Sequence, residues 1–250
     1  MIKRFFYYIK NCFYYNSFKQ KNDAIKVLKK IKRQKKNIYI EEIRKQLIQN
    51  KDTIFTKDYG AGSKIGQNKT ISKITKISVS SRKKCEFIQK VVESFNVHTA
   101  IEFGTSLGIS SMYIKNASTN PKLTTIEGDK KISQIANNNF KTLQIEINNI
   151  CKTFDSFIET YNKNDKTDFF YIDGNHTKSA TIRYFQFALE IINDNGVILI
   201  DDIRWSDQML DAWNEIFTTQ QKGLFVDTGQ MGLYISKDVE KKLTCVPKIF

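Results

Sequence analysis

The chain has 250 residues, 40% of them hydrophobic, which is enough for one α/β domain of ordinary size with an appendage. Its four cysteines include no C-x-x-C pair, so neither a disulfide framework nor a thiolate zinc site is expected, and the composition fits a reducing cytoplasm. We expect neither a membrane-spanning helix nor a cleaved leader, because no apolar run reaches about 18 residues and no small-residue cleavage site is present.

The formal net charge of +14 is concentrated at the N-terminal end. Residues 1–90 contain 24 Lys and Arg against 6 Asp and Glu, a balance of +18, whereas residues 91–250 contain 16 against 20, a balance of −4. This asymmetry predicts an anionic partner for the N-terminal part, either nucleic acid or a membrane surface. The alternative is a compositional bias of the genome, since Lys, Asn and Ile are abundant throughout.

Residues 1–50 are expected to form a basic, aromatic-rich helical extension. Residues 1–20 place eight aromatic side chains among lysines, which is typical of an amphipathic helix at a membrane interface and equally of a helix packed on a domain. Apolar residues at helical spacing predict two helices within residues 22–50. Residues 51–81 are rich in Gly, Ser, Thr and Lys with little periodicity, which predicts a linker or a loop that caps the active site.

Residues 82–250 alternate strand and helix patterns and are expected to form the main domain. Strands are predicted at 97–103, 122–127, 143–147, 168–173 and 197–201, and helices at 82–95, 106–116, 129–140, 151–162, 178–193 and 207–219. This alternation predicts a Rossmann-like, doubly wound, mostly parallel sheet wrapped by helices. Two further strand patterns at 224–227 and 233–236 flank a Thr-Gly-Gln turn, which predicts an antiparallel C-terminal hairpin and seven strands in all.

The most informative motif lies in residues 100–110, where an apolar strand pattern contains an acid, Glu102, and runs into Gly104 and Gly108. Glycine at these positions permits a sharp turn and a close approach to a ligand. The spacing E-x-G-x-x-x-G differs from the G-x-G-x-x-G of dinucleotide-binding loops, so NAD is disfavoured. Glu127 stands 23 residues beyond Gly104 and ends the next strand pattern, where it is placed to accept both ribose hydroxyls of an adenosine cofactor.

On these residues the chain resembles the class I S-adenosylmethionine-dependent methyltransferases. The first motif of that family matches the acid and the two glycines, and its ribose-binding acid matches Glu127. The resemblance implies that Ser106 and Ser110 approach the methionine moiety and that Asn148 or Asn149 meets the adenine edge. The cofactor-binding residues it implies are Glu102, Gly104, Ser106, Gly108, Ser110, Glu127 and Asn149. The alternative is a glycine-containing turn in another α/β domain.

Two later strand patterns also end in acids. Asp173 closes the pattern at 168–173, and Asp201 and Asp202 close the one at 197–201. Because the carboxyl ends of parallel strands lie at one edge of a sheet, we expect the three carboxylates to face one crevice. They would repel one another unless a cation neutralised them, and hard oxygen ligands select Mg²⁺ or Ca²⁺.

Here the chain looks like the metal-dependent O-methyltransferases of the catechol O-methyltransferase type, which hold Mg²⁺ on a fourth-strand Asp and a fifth-strand Asp-Asn pair. Asp173, Asp201 and Asp202 fill those places. Asp202 replaces the Asn, which adds negative charge and would alter metal affinity or make a metal unnecessary. Residues 101–205 are still more similar to the bacterial group called methyltransferase family 24, many of whose members have His where Arg204 stands.

His176 is the expected general base, and Asp173 is its expected catalytic neighbour. His176 lies three residues past Asp173, the place of the catalytic lysine in the catechol type, and an imidazole with a pKa of about 6.5 accepts a hydroxyl proton at neutral pH. The alternative is a His that caps the next helix or bonds to a nearby carboxylate. The expected reaction is an in-line displacement in which a metal would lower the pKa of the acceptor. His98 is expected to be inert.

Three hypotheses follow. The first is a cytoplasmic S-adenosylmethionine-dependent O-methyltransferase that acts on a small-molecule or glycan hydroxyl, with Mg²⁺ assistance left open. The second keeps the fold and uses residues 1–50 to recruit RNA or an acceptor at an anionic membrane surface. Against RNA, the chain lacks the N/D-P-P-Y type motif of amino-methylating enzymes. The third is a non-catalytic cofactor-binding scaffold, which the intact acids and His176 disfavour.

Overall fold

A computed structural model of the chain describes residues 37–57 and 66–245, without the side chains of residues 242–245. The predicted aromatic segment and the first predicted helix therefore lie outside the described residues. The described chain divides after Asp165 into two compact units. We call residues 37–57 and 66–165 the N-terminal unit and residues 166–245 the C-terminal unit.

The N-terminal unit opens with three helices and a small hairpin. In chain order the elements are α1 (Ile38–Gln49), β1 (Thr53–Thr56), β2 (Gln67–Thr70), α2 (Ile71–Ser78) and α3 (Arg82–Ser94). Each of the three helices is preceded by a polar residue whose side chain accepts a hydrogen bond from a backbone amide of the first turn. These amides have no carbonyl partner within the helix, so the side chain supplies one. These N-cap residues are Asn37, Thr70 and Ser81.

Residues 51–81, which the sequence predicted to be a linker or a loop that caps the active site, contain regular secondary structure in their described part. They contain β1, β2 and α2, and β1 pairs with β2 in antiparallel register. The four-residue strands are too short to show a period, which explains the wrong prediction. The apolar faces of α1 and α2 share one core with residues of the glycine motif and the helix after it, namely Ile40, Ile43, Leu47, Ile71, Ile74, Leu107, Ile109 and Met112. The predicted boundaries at residues 50 and 81 therefore do not separate compact units in the described chain.

Three parallel strands complete the N-terminal unit, in the order β3 (Thr99–Phe103), β4 (Lys122–Glu127) and β5 (Asn148–Cys151). The helices between and after them are α4 (Ile109–Lys115), α5 (Lys130–Thr142) and α6 (Phe154–Thr160). The strand predicted at 143–147 is wrong, and the strand lies at Asn148–Cys151. Its alternating Leu143, Ile145 and Ile147 are partly buried against the core from the connection that precedes the strand.

The C-terminal unit contains five strands in the order β10-β8-β9-β7-β6. Its elements are β6 (Thr167–Ile172), α7 (Lys178–Ile191), β7 (Ile192–Ile200), α8 (Asp207–Thr219), β8 (Lys222–Asp227), β9 (Gly232–Glu240) and β10 (Lys242–Cys245). β6 and β7 are parallel, whereas β9 is antiparallel to both β7 and β8, so the predicted C-terminal hairpin is confirmed. β10, which the sequence did not predict, adds a strand parallel to β8.

The strands of the C-terminal unit are apolar runs rather than alternating patterns. Residues 169–172 of β6 and 197–200 of β7 are all buried, as in parallel sheets covered on both faces. The register places Ile172 opposite Ile200, the last residues of β6 and β7. The segments that follow the two strands therefore start next to each other. Among the described residues, no helix is both long and apolar enough to cross a membrane.

Candidate active site

The glycine loop, residues 104–108, has the backbone conformation that its sequence predicts. Gly104 and Gly108 have φ values of 109° and 85°, which residues with a Cβ rarely adopt. The amide of Gly104 donates to the carbonyl of Ile126 at 3.0 Å, which attaches the loop to the end of β4. A Cβ on Gly108 would lie 2.4 Å from the ring of Phe140. Gly108 is therefore required by the packing of α5 as well as by the turn.

Glu127 ends β4 and faces the glycine loop, as the sequence predicted. One carboxylate oxygen accepts the amide of Ser106 at 3.0 Å, and the other accepts the amide of Asp129 at 2.9 Å. Burial raises the pKa of Glu127 to about 7, although the backbone donors act in the opposite direction. Glu127 is thus held directly on the glycine loop.

Ser106 carries a buried hydroxyl with no hydrogen-bond partner among the described residues. Its φ of 48° is unusual for a residue with a side chain and turns the loop between the two glycines. A buried hydroxyl that bonds to nothing in the protein is uncommon and suggests a missing partner. The residues of the loop therefore fit a polar ligand such as the predicted cofactor.

Glu102 is fully buried and is surrounded by hydroxyl groups. Its carboxylate accepts hydrogen bonds from Ser110 at 2.6 Å, from Thr125 at 2.7 Å, and from Ser111. Burial outweighs these donors and raises the pKa of Glu102 to about 7. The network ties β3 to β4 and to the first turn of α4. The hydroxyl of Ser110 donates its hydrogen bond to Glu102. The resemblance to methyltransferases had assigned Ser110 to the methionine moiety of the cofactor.

Asn149 lies within β5, opposite Thr125, rather than in a loop after the strand. Its side-chain amide donates to the carbonyl and hydroxyl of Ser133 and to Asn137, each at 3.1 Å. Its oxygen accepts from Thr105 at 3.4 Å. These bonds join the strand to α5.

Asp129 supports this region and was missed by the sequence analysis. It caps α5 by accepting the amides of Lys131 and Ile132, and its second oxygen accepts the amide of Lys57 at 2.9 Å. An acid just before an apolar-periodic segment is a recognisable N-cap signal. Its hydrogen bond with the amide of Lys57 joins residues that are far apart in the sequence, so no local pattern could have predicted it.

The second group of predicted residues lies in the C-terminal unit, after β6 and β7. The hydroxyl of Tyr171 is 3.0 Å from a carboxylate oxygen of Asp173 and 3.0 Å from one of Asp201. His176 Nε2 is 3.7 Å from the other oxygen of Asp173, within ion-pair distance. Asn175 and His176 have φ values of 63° and 25°, so the backbone turns sharply to bring the imidazole back toward the acid. The predicted Asp173 and His176 pair is thus adjacent.

The predicted three-carboxylate metal site does not fit the residues present. Across residues 37–57 and 66–245, no three His, Cys, Asp or Glu side chains form a group that could hold a metal ion. Asp173 and Asp201 both contact Tyr171, and Asp201 also accepts the amide of Asp202 at 2.7 Å. The backbone of Asp202 has a φ of 52°. The carboxylate pair is therefore assembled on a hydroxyl of the protein itself.

Arg204, in the loop after β7, forms an ion pair with Asp227. Its two terminal nitrogens lie 2.6 and 2.5 Å from the two carboxylate oxygens, the fork geometry that only arginine provides. Asp227 also accepts from the Trp213 indole at 3.2 Å and from the amide of Gly229 at 2.8 Å. Arg204 therefore joins the loop after β7 to the β8–β9 turn.

Trp205 follows in the same loop and is 58% exposed, which is unusual for so large an apolar side chain. Its ring centre is 5.7 Å from that of His176, with the ring planes inclined by 46°. The sequence analysis assigned no role to Trp205. The imidazole is thus flanked by a carboxylate on one side and an exposed aromatic ring on another.

The comparisons with known proteins agree with this geometry. Residues 101–203 match the model of a family described as a methyltransferase domain. An O-methyltransferase from Bacillus cereus in complex with SAH is 18% identical, with 64% of this chain and 84% of that chain covered and a TM-score of 0.54. A putative caffeoyl-CoA O-methyltransferase from Staphylococcus aureus is 19% identical, with 65% and 87% covered and a TM-score of 0.56.

A protein from Corynebacterium glutamicum shares the fold over more of the chain, with 10% identity, 87% and 99% covered and a TM-score of 0.60. No curated protein sequence matches the chain significantly. The structural likenesses establish a Rossmann-like, mostly parallel fold with an antiparallel C-terminal hairpin, and the family model covers the glycine loop, Glu127 and the ends of β6 and β7. Residues 101–203 of the chain are therefore similar to a methyltransferase domain, and the solved O-methyltransferase structures share the fold.

Proposed function

We propose that this protein transfers the methyl group of S-adenosylmethionine to a hydroxyl oxygen of a small-molecule or sugar-like acceptor. The observation that carries the cofactor assignment is the contact between Glu127 and the amide of Ser106, beside the buried hydroxyl of Ser106. The choice of oxygen as acceptor is supported by the His176 and Asp173 pair, because an imidazole beside a carboxylate can remove a hydroxyl proton. Relatives named as O-methyltransferases support the same choice.

The cofactor would be held by the glycine loop and the acid that faces it. Glu127 would accept the ribose hydroxyls, and Gly104, Ser106 and Gly108 would form the floor on which the cofactor rests. Glu102, Ser110 and Asn149 would act from behind, by fixing the loop to β4 and α5. When bound, S-adenosylmethionine supplies a methyl group on a positively charged sulfur, which is open to attack by an oxygen nucleophile.

His176 would take the proton of the acceptor hydroxyl as the oxygen forms its bond to the methyl carbon and the electrons of the carbon–sulfur bond return to sulfur. Asp173 would stabilise the imidazolium that results, because its carboxylate lies 3.7 Å from Nε2. Trp205 would shield one side of the imidazole and offer a flat surface to the acceptor. The proposed reaction uses no metal, because Asp173, Asp201 and Asp202 do not form a group of three metal ligands among the described residues.

We further propose that the basic N-terminal end recruits the acceptor or an anionic surface that carries it. The support is the charge of +18 over residues 1–90 and the eight aromatic side chains among the first 20 residues. Binding of the full chain to phosphatidylserine vesicles and to single-stranded RNA, measured against salt, separates the two surfaces. Equal binding to neutral vesicles and no salt dependence would contradict the proposal.

Calorimetry with S-adenosylmethionine tests the proposed function. Glu127→Gln should weaken binding about 10- to 100-fold, because a hydrogen bond to a charged carboxylate contributes about 1.5–3 kcal/mol. Glu146→Gln is the matched control, since Glu146 is an exposed acid of the same unit. Methyl transfer to a panel of phenols, catechols and glycosides then identifies the acceptor class. If the wild-type chain binds neither S-adenosylmethionine nor its demethylated product, the proposal is wrong.

A further inference from the structure

We propose that Tyr171 is a positioning residue that takes the place of a metal ion, because its hydroxyl holds Asp173 and Asp201 together and thereby aims Asp173 at His176. The proposal rests on the proposed function in one respect, namely that His176 handles the acceptor proton. Its structural part concerns residues 171–201 of the C-terminal unit alone.

The strand geometry brings the three side chains together. Tyr171 is the penultimate residue of β6 and Asp173 is the residue that follows the strand, and the Tyr171 hydroxyl is 3.0 Å from the Asp173 carboxylate. The amide of Asp201 donates to the carbonyl of Ile172 at 2.9 Å, which places the end of β7 beside the end of β6. Tyr171 and Asp201 are buried, with exposures of 0% and 1%, so the contact is shielded from bulk water.

Two carboxylates in such a place repel each other and require a positive charge or hydrogen-bond donors between them. The Tyr171 oxygen is 3.0 Å from each carboxylate, so its single hydrogen is shared between two acceptors. Asp201 receives a second donor, the amide of Asp202, on its other oxygen. The repulsion is therefore met by donors that belong to the protein.

The position of the hydroxyl also disfavours a bridging metal. Mg²⁺ requires oxygen ligands at about 2.0–2.1 Å in near-octahedral geometry. On the side of the carboxylates that faces Tyr171, the hydroxyl oxygen occupies the space that such an ion would need. The backbone amide of Asp202 occupies the other oxygen of Asp201 at 2.7 Å.

The consequence for the reaction passes through Asp173. With one oxygen held by Tyr171, the other oxygen is directed at His176 Nε2, 3.7 Å away. Without the Tyr171 hydroxyl, the Asp173 side chain should become more mobile, and the imidazole of His176 should lose its fixed position. We therefore expect Tyr171→Phe to lower kcat more than it changes KM, because His176 acts on the reacting proton and not on substrate affinity.

The experiment uses the full chain, stripped of metals by chelation. The variants are Tyr171→Phe and, as the matched control, Tyr234→Phe, whose ring is packed between Phe225 and Phe185 in the same unit. Mn²⁺ binding is measured by electron paramagnetic resonance, and Tm is measured in EDTA and in millimolar Mg²⁺. We expect no stoichiometric Mn²⁺ site in the wild-type chain and no effect of Mg²⁺ on its Tm.

For Tyr171→Phe we expect Tm in EDTA to fall by about 3–10 °C and Mg²⁺ to restore part of the loss, since the two carboxylates then lack their shared donor. Tyr234→Phe should show no response to Mg²⁺. Stoichiometric Mn²⁺ binding by the wild-type chain that Asp173→Asn abolishes would overturn the proposal. So would a Tm for Tyr171→Phe no lower than that of the control. The Mn²⁺ titration of the wild-type chain decides the matter even where Tyr171→Phe does not fold.

Cofactor binding in EDTA separates this proposal from the proposed function. If S-adenosylhomocysteine binds in EDTA and a stoichiometric Mn²⁺ site also appears, the role of Tyr171 is wrong and the methyltransferase function stands. If S-adenosylhomocysteine does not bind under any condition, the proposed function fails. The Mn²⁺ and Tm measurements then still decide how Asp173 and Asp201 are held.

Discussion

Replacing Gly108 by alanine should destabilise the N-terminal unit through two separate effects. The backbone at Gly108 has a φ of 85°, and forcing a residue with a Cβ into the left-handed region costs about 1–2 kcal/mol. The added methyl group would lie 2.4 Å from Cε1 and 2.7 Å from Cζ of Phe140, and overpacking of this kind costs about 1–3 kcal/mol. We expect Gly108→Ala to lower the free energy of unfolding by about 2–5 kcal/mol.

Urea unfolding in a Phe140→Leu background tests the two effects separately. Leucine lacks the two ring atoms that the new methyl group would meet, so only the backbone effect of about 1–2 kcal/mol should remain there. The difference between the two backgrounds is the packing term. If Gly108→Ala costs the same in both backgrounds, the ring of Phe140 does not require the glycine. If it costs less than about 0.5 kcal/mol in the wild-type background, the loop does not have this conformation.

Three further changes test the rest of the site. The pKa of Glu102 is raised from 4.5 to about 7, so the folded chain keeps a proton that the unfolded chain releases. The wild-type chain should therefore lose stability as pH rises through that window, by up to about 3 kcal/mol from Glu102, and Glu102→Gln should lose less, because only Glu127, whose pKa is raised in the same way, still titrates there; the same dependence of the urea midpoint on pH in the two proteins would contradict this. Arg204→Lys should lower the free energy of unfolding by about 1–3 kcal/mol by removing the fork on Asp227, and an unchanged urea midpoint would count against that role. His176→Ala should reduce turnover of an acceptor found in the panel by about 10²–10⁴-fold with S-adenosylhomocysteine affinity nearly unchanged, and full turnover would rule out the base.

Elements with strong local signals could be predicted from the sequence. The bounds of β4 and α8 agree with the prediction, because β4 ends in an acid at a glycine-containing turn and α8 begins after Ser206, whose hydroxyl accepts the amide of Met209. The contact of Glu127 with the glycine loop followed from the spacing of the motif, since a parallel neighbour strand must end beside the loop.

Other elements depend on contacts that are remote in sequence. Leu143, Ile145 and Ile147 alternate as a strand does, yet they pack on the core from a connection because α5 runs on to Thr142. β1 and β2 are too short to show a period. Tyr171 lies in an apolar run and so has the pattern of a core residue; only the register of β6 with β7 reveals its hydroxyl between two acids. The register between two strands cannot be read from the sequence of either strand alone.

Two contacts hold the loop that follows β7. Asp202 donates its backbone amide to Asp201, and Arg204, two residues later, is bound to Asp227 at the end of β8. Both contacts therefore stabilise the shape of the loop, in which Trp205 is exposed beside His176. If Tyr171 holds Asp173 as proposed, the acids that follow β6 and β7 are positioned by donors of the protein itself, namely the Tyr171 hydroxyl and the Asp202 amide.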